Sequence, residues 1–381
     1  MTDHRRAVAT LFFLNGAVLA SWVPHIPAVQ MRLGLRESAL GVALLGMAAG
    51  ALLAIPLAGW AIPRVGSRLV VRISGLLFCA TLLAPLLAPD LPRLLLALML
   101  FGGANGAMDV SMNAQAVVVE RHLRRPMMSW FHGMWSVGGL VGAGLAALAL
   151  YAGLPPLVHA LAAAVIATAG CAVAMRTLLP PSEDVRADGP RLVRPAGALL
   201  ALGLLAALGL MAEGAMGDWS AVYLRRWLLT SASVAALGFA AFQATMAAGR
   251  FAGDRLAGRF GDATLLRVSG GLAAVALAVA LLIAHPLAAV LGCAAVGLGL
   301  SNVIPVLFRT AALVPGVAAS QGIAAVGSAG YIGFLGGPPL IGFAAEWMGL
   351  PAALGLVVVA LALIATGGAR VGRALTAAPA H

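Results

Sequence analysis

The chain has 381 residues, of which 62% are hydrophobic and only 10% charged, and its mean hydropathy is +1.00. That leaves too little polar surface to cover a soluble globule, so the chain belongs in a bilayer. The formal charge of +11 comes from arginines in short clusters between apolar runs, which excludes a nucleic-acid-binding face, and the absence of any lysine removes P-loop and Schiff-base chemistry.

With roughly 20 apolar residues needed per crossing, the sequence predicts an all-α membrane protein of twelve spans. Their expected limits are 7–31, 39–62, 69–89, 92–119, 129–152, 155–178, 197–224, 232–258, 265–285, 287–314, 318–345 and 350–369. The first run is too long for a signal-peptide core and reads as an uncleaved span. Residues 179–196, with Pro180, Pro181, Glu183, Asp184, Asp188, Pro190 and Pro195, have the composition of a linker. The expected division is a bundle over 1–178, a linker over 179–196 and a bundle over 197–381.

Arginine placement predicts orientation, because cytoplasmic loops gather positive charge. With the N-terminus inside, the inner side holds Arg5, Arg6, Arg64, Arg68, Arg72, Arg121, Arg124, Arg125, Arg176, Arg186, Arg191, Arg194, Arg250, Arg255, Arg259, Arg267, Arg309, Arg370 and Arg373. The outer side keeps Arg32, Arg36, Arg93, Arg225 and Arg226. Both termini and the linker are therefore expected in the cytoplasm.

Span 1 carries Asn15 and Trp22. Span 4 carries Asn105, Asp109 and Asn113, which recur every four residues and so form one polar stripe on a helix. A carboxylate at mid-membrane costs roughly 2.5 to 3.5 kcal/mol, so Asp109 should face protein or a water-filled cavity. It either carries a proton or binds substrate, or is a structural acid bonded to its neighbouring amides. Span 5 opens with Trp-Phe-His-Gly. His132 there is either a proton relay or a partner for backbone, and Trp135 with Ser136 follows one turn on.

Span 7 carries Glu213, with Asp218 nearer the outer end and elsewhere on the wheel. Asn-Gly-Ala before Trp22 and Glu-Gly-Ala before Trp219 set Glu213 in a stretch equivalent to that around Asn15. Asp109 and Glu213 facing one cavity could share a proton or bind a hydroxylated or cationic solute. Trp22, Trp135, Trp219 and Tyr331 could stack on a sugar ring or act as packing anchors. Gln243, Asn302, Gln321 and Ser328 are further polar positions, and Gln321, Ser328 and Tyr331 suit a cavity wall on span 11. Cys79, Cys171 and Cys293 lie singly with no metal-binding spacing, so neither a metal nor another cofactor is expected.

The halves resemble each other at a displacement of 195 residues. Arg64-Val65-Gly66 with Arg72-Ile73-Ser74-Gly75 aligns with Arg259-Phe260-Gly261 and Arg267-Val268-Ser269-Gly270, and Gly138 and Gly142 fall on Gly333 and Gly337. Two parallel six-helix repeats about an axis along the membrane normal are a transporter architecture with its site at midplane. The glycines read as close-packing points where helices slide.

LFFLNGAVLASWVPHIP in span 1, GANGAMDVSMNAQ in span 4, SWFHGMWSVGGLVG in span 5 and AEGAMGDWSAVYL in span 7 together resemble the major facilitator superfamily over essentially the whole chain. Within it, the first half resembles the branch of the fucose:proton symporters and their uncharacterised bacterial inner-membrane relatives. The resemblance implies a secondary transporter working by alternating access, with Asp109, which matches the symporters' acid of span 4, in proton coupling. The reading of the residues themselves adds Glu213 to that role and expects substrate contacts from Asn15, Trp22, Asn105, Asn113, His132, Trp135, Asp218, Gln243, Asn302, Gln321, Ser328 and Tyr331. Partners are then a small solute, protons and the lipid of a bacterial inner membrane, with no nucleic acid and a monomeric state.

The branch carries an acid in span 1 where this chain has Val23, so fucose does not follow as substrate. Gly59 to Arg68 resembles the superfamily's cytoplasmic loop signature but has Pro63 in place of its acid. That puts Arg64 and Arg68 in doubt as a charge relay, while Asp254 and Arg259 supply gating candidates in the second half. Gly138-x3-Gly142 precedes Ala143 rather than the proline of drug antiporters, which leans away from multidrug efflux. An uncoupled facilitator and a drug/proton antiporter stand as alternatives. A membrane enzyme or sensor ranks last, since no reactive constellation or signalling domain is evident.

Overall fold

Why the apolar runs become helices is a matter of solvent: in lipid no water satisfies a backbone N–H or C=O, so each crossing must close its own hydrogen bonds. The computed structural model describes residues 2–124, 127–180, 197–315, 317 and 319–376, with side chains described except at 2, 319, 320, 324 and 368–376. Among them twelve helices are long and apolar enough to cross a membrane. They are Asp3–Arg32, Glu37–Val65, Ser67–Leu87, Leu91–Leu123, Met128–Tyr151, Pro156–Thr177, Ala198–Trp227, Ala232–Phe260, Asp262–Ile283, Pro286–Ala312, Gln321–Met348 and Leu350–Gly367, spans 1 to 12. The linker beyond Pro180 lies outside the described residues, as do Arg125, Arg186, Arg191 and Arg194 and the side chains of Arg370 and Arg373.

The twelve helices form two six-helix bundles related by a repeat. Within the first half, span 1 lies on span 5 and span 2 on span 4; in the second, span 7 lies on span 11 and span 8 on span 10. The halves meet where span 5 crosses span 8 and span 2 crosses span 11. Gly66 (φ 86°) and Gly261 (φ 76°) make the turns into spans 3 and 9, in a backbone region that L side chains rarely adopt.

Close packing reproduces the repeat residue by residue. A β-carbon on Gly138 would run into the carbonyl of Phe13, and one on Gly333 into that of Ala207. Gly142 likewise faces the backbone of Ala17, and Gly337 that of Met211. Phe13 therefore corresponds to Ala207 and Ala17 to Met211. On that register Glu213 matches Leu19, one turn beyond Asn15, which corrects the equivalence drawn from the two tripeptides.

Three spans are broken, each for a local reason. Pro24 and Pro27 interrupt span 1, where Val23–His25 is a single 3-10 turn. A five-residue π turn, Tyr223–Trp227, ends span 7. Span 10 breaks at Ser301 and Asn302 between its helical parts Pro286–Leu300 and Val303–Ala312. Large apolar side chains such as Leu53, Leu57, Ile166 and Leu282 point outward, as lipid-facing residues must.

An even number of crossings puts both termini at one end. At the other end the halves are closed on each other. Gly41 of span 2 sits against Pro338 and Gly342 of span 11, Gly342 against the carbonyl of Glu37, and Arg36 pairs with Glu346 at 3.6 Å. Toward the terminal end span 11 turns to its own half, with Gly322 on Ala311 and Gly330 on Leu210, while Ser328 and Tyr331 are exposed.

Candidate functional site

Two features of the sequence make the middle of the molecule polar: the span 4 stripe and the glycine-lined approach of span 5 to span 1. The second brings Trp135 over Asn15. Its indole N–H donates to Asn15 Oδ1 at 2.8 Å, and Asn15 Nδ2 donates to Asn105 Oδ1 at 3.0 Å. One turn along, Asn113 Nδ2 donates to Asp109 Oδ1 at 3.1 Å and to the Asp109 carbonyl at 2.9 Å. The stripe thus faces inward, with Asp109 half-buried.

The second half answers with charge. Arg250, in the interior of span 8, donates to Glu213 Oε1 of span 7 at 3.3 Å and to Ser136 Oγ of span 5 at 2.7 Å. Its guanidinium carbon also lies 5.6 Å from the centre of the Trp135 ring, a cation–π distance. One polar chain therefore runs from Glu213 through Arg250, Trp135 and Asn15 to Asn105, joining spans 7, 8, 5, 1 and 4. Side-chain exposures are 13% for Arg250 and 17% for Glu213, so the pair is largely but not wholly buried.

Arg250 corrects the topology reading, which counted it among the loop arginines. It sits well inside a span, where an unpaired guanidinium would be costly, and Glu213 and Ser136 are what keep it there. The correction extends to Glu213, whose partner is this guanidinium rather than a second acid.

The remaining candidates divide by location. Tyr331, 36% exposed on span 11, lies within electrostatic reach of Asp109 on span 4, so the two halves face each other at this level. Gln321, half-buried, and Ser328, exposed, lie further along the same span. His132 is half-buried, edge-on to Phe12 at 5.3 Å and within electrostatic reach of Arg250. Asp218 is half-buried beyond Glu213.

Trp22 (2% exposed) and Trp219 (fully buried) are core residues in this conformation, each with its indole N–H buried and unpartnered. Gln243 is buried where span 8 crosses span 5, its amide nitrogen against Gly139 and its Oε1 unpartnered. Asn302 departs most from its expected place. Its amide donates to the Gly249 carbonyl at 3.1 Å and to Ser301 Oγ at 2.9 Å, so it ties the break of span 10 to span 8 inside the second bundle and does not reach the cleft.

The four gating candidates do not meet one another. Arg64 folds back on its own helix, donating to the Trp60 carbonyl at 2.6 Å and stacking 4.2 Å from the Trp60 ring. Arg68 donates to the Arg176 carbonyl at 3.3 Å, at the end of span 6. Asp254 pairs with Arg309 at 3.5 Å, and Arg309 also binds Asp262 at 2.8 Å, while Arg259 lies over Phe260. Sequence reasoning missed Arg250, Asp262 and the bridging role of Arg309. It also missed a buried pair in which His25, at the break of span 1, meets His159 of span 6 at 2.9 Å between ring nitrogens.

Comparison with known proteins places this geometry. The family model of the Major Facilitator Superfamily matches residues 8–312. An uncharacterised MFS-type transporter of Yersinia pestis is 38% identical over 354 residues, 93% of this chain and 92% of the relative. Membrane protein MosC of Rhizobium meliloti is 39% identical over 363 residues, covering 94% and 87%. Among solved structures, a D-xylose–proton symporter superposes with a TM-score of 0.75 at 15% identity over 95% of each chain. A bacterial homologue of the human lysosomal transporter Spinster, in an inward-facing and unoccupied conformation, gives 0.73 at 17% identity over 97% and 96%. At those identities the structures speak for the fold alone. A twelve-span chain with this repeat, this central polar chain and this family match belongs to the Major Facilitator Superfamily, whose members are membrane transporters of small molecules and not enzymes.

Proposed function

We propose that this member is a proton-coupled secondary transporter in which Asp109 carries the coupling proton and the solute binds in the cleft between the bundles over 1–178 and 197–381. The observation that carries the reading is the placement of Asp109: a half-buried acid in the middle of a polar stripe whose first member, Asn105, is hydrogen-bonded through Asn15 to Trp135, over which the Arg250 guanidinium of the other half lies. A carboxyl so placed can be charged when it faces water and protonated when the halves close over it. A solved fold neighbour is named a D-xylose–proton symporter, which fits coupling of this kind without fixing the solute.

The arginines of the terminal end, with Arg250 withdrawn from the count, still favour both termini in the cytoplasm of a bacterium, and the protein in its inner membrane. On that orientation the contacts of Gly41 with Pro338 and Gly342 lie at the outer side.

Uptake into proteoliposomes under an imposed pH gradient tests the reading. Wild-type protein is expected to accumulate solute and Asp109→Asn to equilibrate it only. Gradient-driven accumulation by the Asn variant ends the proton role of Asp109. Accumulation absent in both, with equilibration unaffected by a proton ionophore, makes the protein a facilitator.

A further inference from the structure

Charge is spread unevenly across the cleft. The first half contributes amides, a hydroxyl, an indole and the carboxyl of Asp109, and the second contributes the guanidinium of Arg250 with Glu213 beside it. That guanidinium is only half engaged: one nitrogen holds Ser136 and another makes a single contact with Glu213 at 3.3 Å, where a two-pronged carboxylate pair would be shorter and stronger. Its flat face is supported by Trp135. A fork held from below by an aromatic ring, anchored on one side and loosely countered on the other, is an acceptor site for a planar anion.

We infer that Arg250 is the substrate-recognition residue and that the solute is a small carboxylate, which takes the place of Glu213 on the guanidinium. This deepens the transporter reading and rests on it. While Glu213 faces Arg250 the pair is neutral, and a substrate carboxylate exchanges one counter-ion for another on the same guanidinium.

The titratable and charged groups around Glu213 are Arg250 on span 8 and His132 on span 5. Tyr331 lies on span 11 with Asp109 beyond it on span 4. His25 stands at the break of span 1, and Asp218 lies further along span 7. None of the other acids has Arg250 as a hydrogen-bond partner, so the exchange belongs to Glu213.

A matched panel tests this without knowing the natural solute: sugar acids and short hydroxy acids, each beside its neutral alcohol or sugar and its amine, with purified protein followed by thermal shift between pH 5.5 and 8. Acids are expected to stabilise the wild type, while neutral and amine partners do not. Arg250→Gln should weaken that binding on the order of tenfold or more, since a charge-assisted bond is lost. Glu213→Gln should retain it, because the carboxylate that competes for the guanidinium is gone. Because Arg250→Gln alone strands Glu213, the double variant Arg250→Gln/Glu213→Gln serves as a folded control that also fails to bind.

Stabilisation by an amine or neutral member in preference to its acid, by no acid at all, or equally in Arg250→Gln, overturns the proposal. The transporter reading fails separately: an acid that binds as expected but is not moved by proteoliposomes leaves the anion site standing and removes transport. A neutral solute moved with protons does the reverse.

Discussion

After the turns at Gly66 and Gly261 the two halves do the same job with different chemistry. In the first half Gln115 of span 4 donates to Ser67 Oγ at 2.7 Å, and its amide also holds Leu179 through the carbonyl at 3.1 Å and the N–H at 3.0 Å. At the matching point of the second half Arg309 of span 10 binds Asp262 at 2.8 Å and Asp254 at 3.5 Å. The neutral tie is buried; Arg309 and Asp262 are each 39% exposed. Loss of the signature acid at Pro63 has not left the first half untied. A buried amide with every bond made holds at least as well as an ion pair that water and salt can reach.

That contrast can be broken at several strengths. The largest effect belongs to what the halves share. Gly138→Leu and Gly333→Leu should each cost about 3 kcal/mol or more, because the clash is with backbone that cannot step aside. Yield and melting temperature in detergent read it, and tolerance of one but not the other would show that the packing repeat is unequal. Arg250→Gln comes next at about 3 kcal/mol, the cost of stranding Glu213, and Arg250→Gln/Glu213→Gln should recover most of the melting temperature. A double variant no better than the single would mean that the pair does not behave as a unit.

Gln115→Ala should cost about 1 to 3 kcal/mol by orphaning the Leu179 backbone, with no dependence on salt. Asp262→Asn should cost less than about 1 kcal/mol at low ionic strength and almost nothing in high salt. The reverse ordering would overturn the comparison of buried and exposed ties. Smallest is Arg36→Gln: its pair with Glu346 has an arginine side chain 82% exposed, and the melting temperature should not move measurably.

The same contrast explains what could be read from the chain. Apolar runs long enough to cross a bilayer have one structural outcome, so the twelve spans were legible, and so was the repeat, since a helix pair in van der Waals contact needs glycine at the same place in both halves. The inward-facing stripe of Asn105, Asp109 and Asn113 was legible because it is local, four residues to a step. Arg250 was not. It stands in a run, GRFAGDRLAGRFG, whose composition is that of a loop, and the partners that hold it in the membrane are Glu213 and Ser136, on two other helices. Asn302 was misplaced for the opposite reason: its polarity was visible, but the carbonyl of Gly249 that consumes it was not. Whether an amide lines a cleft or satisfies a helix break depends on a neighbour that no periodicity announces.

Proton movement driven by solute tests the central claim most directly. Proteoliposomes loaded with a pH-sensitive dye, and given the panel member that most stabilises the wild-type protein, should acidify inside for wild type. They should not acidify for Asp109→Asn, even though the same solute stabilises that variant. Acidification by Asp109→Asn at the wild-type rate would contradict the account, and the acid of the polar stripe would then have no part in coupling.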